Sequence, residues 1–305
     1  MSKMFGKNIL VTGGAGFIGS YVAELFMEKG YRVRILDNLS TGNLDWIPLS
    51  ADFIEGDVTD LETCRKAVKG VVAVFHLAAM SKVFPSLGDC EKNLFTLKQN
   101  VLGTLNLLIT SHQERIQKFI YSASSTYYGN QPIPFTEDMP PQCITPYALS
   151  KYEGELYCLL FNQMYNLPTV SLRYFQTYGP RQSTTGEYAV VVGVFLEQRK
   201  QDKPLTIFGD GTQRRDFVHV KDVAYSNYLA LNSPIRGMSI NIGSGENHSI
   251  QELADVISDK QIHVAPREHD LKETLADLTL CRQYFNWIPQ ISFQKGMREL
   301  ICSTT

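Results

Sequence analysis

Two hydrophobic rhythms alternate over the first 175 or so positions. Short unbroken apolar runs occur at Ile9-Leu10-Val11, Val71-Val72-Ala73-Val74-Phe75-His76-Leu77 and Lys118-Phe119-Ile120-Tyr121-Ser122. Runs of this kind, too short for helices and without a polar face, predict parallel strands covered on both sides. Further strands are predicted at 31–36, 53–54 and 168–174. Between them apolar residues recur every three or four positions. Tyr21, Val22, Leu25 and Phe26 open one helix, and others are predicted at 59–68, 91–111 and 145–165. In the third, Leu94, Leu97, Val101, Leu105 and Leu108 form the apolar stripe. This order of strands and helices predicts an α/β doubly wound parallel sheet.

The rhythm loosens after residue 175. Turns thicken at Gly179-Pro180, Gly186 and Gly209-Asp210-Gly211, and the predicted elements shorten: strands at 205–208 and 239–242, helices near 188–200, 221–231 and 249–258. The expected organisation is a dinucleotide-binding domain over 1–175 and a smaller α/β lobe over 176–305, with some late segments returning to the first domain. At 305 residues, either unit can bury a core. A net charge of −2 leaves no basic footprint for nucleic acid. Six cysteines lack C-x-x-C or His/Cys spacing, so no metal is expected and a reducing, cytoplasmic setting is. The first strand follows the N-terminus closely, leaving no room for a signal peptide, and no apolar run is long enough for a membrane.

Chemistry concentrates first at Thr12-Gly13-Gly14-Ala15-Gly16-Phe17-Ile18-Gly19. Gly13, Gly16 and Gly19 sit between a strand and a helix, where a tight turn, backbone approach to a pyrophosphate and close helix packing each require a missing Cβ. The helix start supplies N–H groups and a positive dipole end. Asp37 ends the next predicted strand, 18 residues past Gly19. A carboxylate there accepts both ribose hydroxyls and repels a 2′-phosphate, so the expected cofactor is NAD.

A second concentration lies at Thr145-Pro146, a helix start, followed by Tyr147 and Lys151 on one helical face. An ammonium near a phenol favours phenolate, and bringing a tyrosine from about 10 towards 7 takes roughly 4 kcal/mol. Such a tyrosine can serve as general base on a substrate hydroxyl. The hydroxyl-rich run 121–129 follows a buried strand and can reach the same oxygen. Tyr-x-x-x-Lys pairs and Ser/Thr turns are each common by chance; their combination downstream of a dinucleotide turn is not.

With these motifs the chain resembles the extended short-chain dehydrogenase/reductases of the nucleotide-sugar epimerase and dehydratase group, over nearly its whole length. The resemblance implies a catalytic trio of Ser124, Tyr147 and Lys151. It implies an NAD site drawn from Gly13, Gly16, Phe17, Ile18, Gly19, Asp37, Asn38, Asp57, Val58, Leu77, Ala78, Ala79, Asn100, Tyr147, Lys151, Tyr174 and Phe175. Phe208-Gly209-Asp210-Gly211, 214–220 and Pro266-Arg267 are similar to the family's sugar-nucleotide lobe. By that similarity Arg215 and Arg267 contact the diphosphate, Asp270 the nucleotide ribose, and Gln176 and Thr274 the sugar region. Helices 91–111 and 145–165 would form a homodimer interface.

Departures from the family pattern narrow the chemistry. Dehydratases carry an Asp-Glu pair where this chain has Ser125 and Thr126, which argues against dehydration. Gln176 replaces the usual asparagine, and His269 replaces a glycine near Arg267. Thr274 stands where galactose-type epimerases place tyrosine, implying room for an N-acetyl, carboxyl or longer-chain sugar. The expected activity is a nucleotide-sugar 4-epimerase of carbohydrate biosynthesis that oxidises C4 and re-reduces a 4-keto intermediate. The alternatives are a 4-dehydrogenase that stops at the ketone, a 4,6-dehydratase, and a non-catalytic dinucleotide sensor.

Overall fold

The computed structural model describes residues 6–81, 90–186, 189–267 and 271–303. Its largest element is a seven-stranded sheet in the order β11-β6-β5-β4-β1-β2-β3. The strands are β1 (Asn8–Thr12), β2 (Arg32–Asp37), β3 (Asp52–Glu55), β4 (Ala73–His76), β5 (Lys118–Ser124), β6 (Thr169–Tyr174) and β11 (Met238–Ile242). β1 pairs in parallel with both β2 and β4, so the winding direction reverses at β1/β4. In open sheets of this kind, ligands bind beyond the carboxyl ends of the strands at that reversal. The glycine turn, Asp37, His76 and Ser124 all lie at carboxyl ends.

The chain divides into two compact units. The first comprises 1–124, 145–173 and 223–240; the second comprises 125–144, 174–222 and 241–305. In the first unit, Leu10, Val74, Leu107, Leu108, Phe119 and Phe161 belong to one core cluster. Helices α1 (Phe17–Glu28), α2 (Leu61–Val68), α4 (Gly103–Gln113) and α5 (Pro146–Tyr165) flank the sheet. The Thr145 hydroxyl accepts a hydrogen bond from Ala148 N at 3.1 Å, with Pro146 in the first turn, and Asn166 in the left-handed region ends α5.

The helix predicted at 91–111 has a different interior. It runs as α3 (Cys90–Leu97), a π-helical turn over Lys98–Leu102, and then α4. The wider turn rotates the side chains of α4 about the helix axis relative to those of α3. The predicted stripe is therefore split: Leu108 is fully buried, whereas Leu94 and Leu97 are exposed.

Among the described residues the second unit holds three two-stranded sheets, pairing β7 (Gln176–Tyr178) with β10 (Phe217–His219), β8 (Leu205–Phe208) with β13 (Gln261–Val264), and β9 (Arg214–Arg215) with β12 (His248–Ser249). Its core gathers Tyr178, Phe195, Ile207, Phe217, Leu253, Phe293 and Met297. Helices α6 (Val191–Lys200) and α8 (Ile250–Ile257) belong to this unit, α8 starting in a capping box of Ser249 and Glu252, whereas most of α7 (Val220–Asn232) belongs to the first.

Candidate active site

At the end of β1 the backbone turns through Gly13 at φ +69°. A Cβ on Gly13 would lie 2.7 Å from Ala78 N, and one on Gly19 would lie 2.0 Å from the Gly13 carbonyl oxygen. Both glycines are thus demanded by close backbone approach. Helix α1 begins at Gly16 with no side-chain cap, so its first amides face outward uncapped by protein side chains. Phe17, Ile18 and Gly19 form its first turn. This cradle, with a carboxylate at the end of β2, fits a dinucleotide.

Asp37 is buried and held in place. Its carboxylate accepts Ala15 N at 3.0 Å and Leu39 N at 2.9 Å, while Gly42 packs so closely that a Cβ there would stand 2.9 Å from Oδ1. Burial raises its pKa, and the two amide bonds oppose that rise. Asn38 donates to Asp57 at 2.7 Å, and Gln99 reaches the same carboxylate. Burial alone would raise the Asp57 pKa, but the hydrogen bonds from Thr59, Asn38 and Gln99 outweigh it and lower the value. Val58, next in sequence, packs where a Cβ on Gly103 would fall, 2.5 Å away. Leu77, Ala78 and Ala79 follow β4, and Ala78 N donates to the Thr12 hydroxyl at 3.2 Å.

Asn100 lies inside the π turn and joins two elements. Its Oδ1 accepts Met80 N at 2.7 Å, and its Nδ2 donates to Met80 O at 3.0 Å and to Ser150 Oγ at 2.9 Å. The segment after β4 is thereby fastened to α5. A second polar chain runs beneath it. His76 Nδ1 is 2.8 Å from the Thr12 hydroxyl, and its Nε2 is 2.9 Å from the Thr104 hydroxyl. The Thr104 hydroxyl also lies 2.5 Å from Asn100 O, so His76 bridges two hydroxyls within one buried polar chain. Burial first, and the nearby Lys151 charge second, lower the His76 pKa to about 3.

Ser124 and Lys151 are buried and Tyr147 is half-buried, all three in the first unit, and the Ser124 and Tyr147 side chains are hydrogen-bonded to each other. The tyrosine departs from expectation. Burial pushes its pKa up, the Ser124 hydrogen bond opposes that rise, and Lys151 is not among the causes of the shift. Desolvation falls on both partners: Lys151 is itself lowered to about 7 by burial, with Cys158 and Glu155 opposing. Glu155 continues the i, i+4 series Tyr147–Lys151–Glu155 and pairs with Arg173 of β6 at 2.6 Å, both side chains being buried. The Glu155–Arg173 pair, Thr104 and Ser150 have no part in the sequence reading, and His76 and Tyr121 enter it only as members of longer motifs. The i, i+4 spacing to Lys151 could have signalled Glu155; the others are polar residues in otherwise apolar elements, which no spacing rule picks out.

The second unit carries the remaining candidates. Arg215 lies in β9 opposite His248, and its guanidinium donates to Arg214 O at 2.9 Å. The Arg267 guanidinium lies over the Phe208 ring, 3.7 Å from its centroid. Gln176 opens β7, half-buried, and its backbone N–H donates to Asp216 O at 3.0 Å. Tyr174 and Phe175 are buried. Thr274 is buried too, and its hydroxyl accepts Asp216 N at 3.1 Å. Asp270 and His269 lie outside the described residues. Asp216 itself gathers Ser244 N, Ser244 Oγ, Gly245 N and Ala276 N on one fully buried carboxylate.

A doubly wound sheet with a glycine-turn cradle and a Ser–Tyr–Lys group defines an extended short-chain dehydrogenase/reductase. The chain belongs to the NAD dependent epimerase/dehydratase family, whose profile matches residues 9–243, and it is an NAD-dependent enzyme. A Methanocaldococcus jannaschii relative is 37% identical over 302 residues, covering 96% of this chain and 97% of its own. The solved UDP-glucose 4-epimerase of Thermotoga maritima, with UDP-glucose, superposes with a TM-score of 0.91 at 35% identity, covering 96% of this chain and 97% of that one. The UDP-N-acetylglucosamine 4-epimerase of Methanobrevibacter ruminantium M1, in complex with UDP-N-acetylmuramic acid, gives a TM-score of 0.92 at 33% identity over 98% of both chains.

Proposed function

We propose that this enzyme is a nucleotide-sugar 4-epimerase. The observation that carries the reading is the Ser124–Tyr147 hydrogen bond with Lys151 one helical turn further on, in a chain similar to several 4-epimerases. Bound NAD supplies two-electron acceptance and return at sugar C4. Gly13, Gly16, Phe17, Ile18 and Gly19 would hold its pyrophosphate end, Asp37 and Asn38 its adenosine ribose, and the Asp57–Val58, Leu77–Ala79, Asn100 and Tyr174 positions its borders. Tyr147 takes the proton of the 4-hydroxyl as general base. Ser124 hydrogen-bonds the same oxygen, and the Lys151 ammonium stabilises the phenolate that forms.

In the second unit Arg215 and Arg267 are assigned to the diphosphate, Asp270 to the nucleotide ribose, and Gln176 and Thr274 to the sugar region. Ser125 and Thr126 cannot do the carboxyl chemistry of dehydration at neutral pH. Among the described residues no helix is long and apolar enough to cross a membrane, in keeping with a cytoplasmic enzyme. Leu94 and Leu97 of α3 and Leu149, Leu156, Leu160 and Met164 of α5 are all exposed, and a second copy covering them accounts for leucines on the surface.

Incubation with UDP-glucose, UDP-N-acetylglucosamine and UDP-glucuronate, followed by product NMR, tests the activity. Interconversion of C4 epimers without added NADH is expected from wild type. Tyr147→Phe should lose turnover by at least roughly 100-fold while binding NAD normally by calorimetry. Accumulation of a 4-keto product instead would favour the dehydrogenase, and an active Tyr147→Phe enzyme would remove Tyr147 from its role.

A further inference from the structure

Tyr121 is fully buried in β5, three residues before Ser124, and the Lys151 Nζ lies over its ring, 4.4 Å from the centroid. The ring's hydroxyl donates to the Lys151 carbonyl at 3.2 Å and is hydrogen-bonded with Thr104. The tip of the phenol occupies space that α5 leaves at Gly154, where a Cβ would stand 2.2 Å from the Tyr121 oxygen. Lys151 is therefore gripped twice by one side chain: its backbone through a hydrogen bond, its ammonium through the negative face of an aromatic ring.

We propose that Tyr121 is a positioning residue for Lys151, the ring stabilising the ammonium in its charged form and the hydroxyl fixing the ring against α5. The carbonyl of a residue inside a helix already accepts an intrahelical bond, so the Tyr121 hydroxyl is not needed to satisfy it. Its effect is to tie strand to helix at the residue whose charge matters. Burial pushes Lys151 down to about 7, and the other groups bearing on it are few. Glu155 and Cys158 on α5 favour its charge, Glu155 being shared with Arg173 of β6. Tyr147 precedes it by one turn, and His76 of β4, itself 5.8 Å from the Tyr121 ring, is held neutral. The aromatic face thus joins these groups in keeping an ammonium at a buried site.

The inference rests on the reading of Lys151 as the charged partner of Tyr147, and its test separates the two. The Lys151 titration is followed by NMR of carbon-labelled lysine, alongside the basic limb of the kcat/KM profile. Proteins carrying phenylalanine at 121, and then phenylalanines of rising fluorine content, keep the ring's shape while draining its negative face. Tyr121→Phe should hold the Lys151 midpoint near wild type. The fluorinated series should lower it progressively, by roughly half to one and a half pH units, and the basic limb should fall in parallel. Tyr121→Leu, checked for fold by circular dichroism, should match the most fluorinated protein. A midpoint unmoved across the fluorinated series would overturn the aromatic role even if Tyr121→Leu fails to fold. A shift already complete in Tyr121→Phe would assign the effect to the hydroxyl and overturn it too. Loss of turnover in Tyr147→Phe bears on the parent reading alone, because the lysine titration is observed without catalysis.

Discussion

His76 illustrates how a single buried side chain sets a pH response. Its folded pKa is about 3 against an ordinary 6.5, because burial excludes the imidazolium and Lys151 repels it. The unfolded chain therefore binds a proton that the folded chain refuses between those values. The group's contribution is intact above about pH 6.5 and is lost at about 1.4 kcal/mol per pH unit as acid is added, down to about pH 3. Urea unfolding between about pH 5.5 and 4 should approach that slope in wild type while stability stays nearly flat above pH 7, and His76→Gln should be flatter in the acid window by close to this amount. Equal slopes in the two proteins would mean that another group dominates. At this scale the sequence was legible where a rule ties residue type to spacing, as for Gly13, Asp37 and the Tyr147–Lys151 pair. Thr104 and Ser150 obey no such rule; they are defined by the neighbours that folding brings beside them.

At the scale of elements, the Glu155–Arg173 pair fastens α5 to β6 inside the first unit. Two ions out of water gain little over an apolar pair, but removing one leaves the other stranded. Glu155→Gln is expected to cost about 3–5 kcal/mol, read from the urea midpoint, and a Glu155→Met, Arg173→Met double variant should recover most of it. A single variant as stable as wild type would show that Arg173 finds water. Elements with one clear period were readable before folding: α5 begins at Thr145–Pro146 as its cap chemistry requires. The helix over 91–111 was readable as a helix but not in its facing. The π turn around Asn100 rotates Leu108 towards the core and leaves Leu94 outside it, and nothing in the periodicity announces the inserted residue.

For the molecule as a whole, the alternation of buried runs and amphipathic helices was enough to foresee the wound sheet. It did not reveal that residues 125–144 join the second unit, because that segment has neither period. The small sheets of that unit are also poorly visible, being pairs of two to four residues such as Arg214–Arg215 with His248–Ser249. The surface leucines of α3 and α5 speak to assembly. Light scattering at micromolar concentration should give the mass of a dimer, and Leu156→Glu combined with Leu160→Glu should give a folded monomer. A monomeric wild type would leave those leucines without the proposed partner copy.

The way Asp37 is held bears on how the cofactor could be exchanged. Its two oxygens tie the glycine turn, through Ala15 N, to the loop after β2, through Leu39, a branched residue at φ +57°. Left-handed backbone costs a non-glycine residue about 1–2 kcal/mol, and this carboxylate bond helps to offset it. Redesign towards the phosphorylated dinucleotide is therefore not a matter of deleting one charge. Asp37→Ser should weaken NAD binding in calorimetry without creating NADP affinity, and limited proteolysis should cut near 38–43 more readily. Adding Leu39→Gly should give back protection from the protease, since glycine adopts that backbone at little cost. NADP binding by the single variant would show that charge alone governs the choice. Otherwise cofactor preference in this enzyme is stored in loop architecture, and an engineer must rebuild the loop before changing the cofactor.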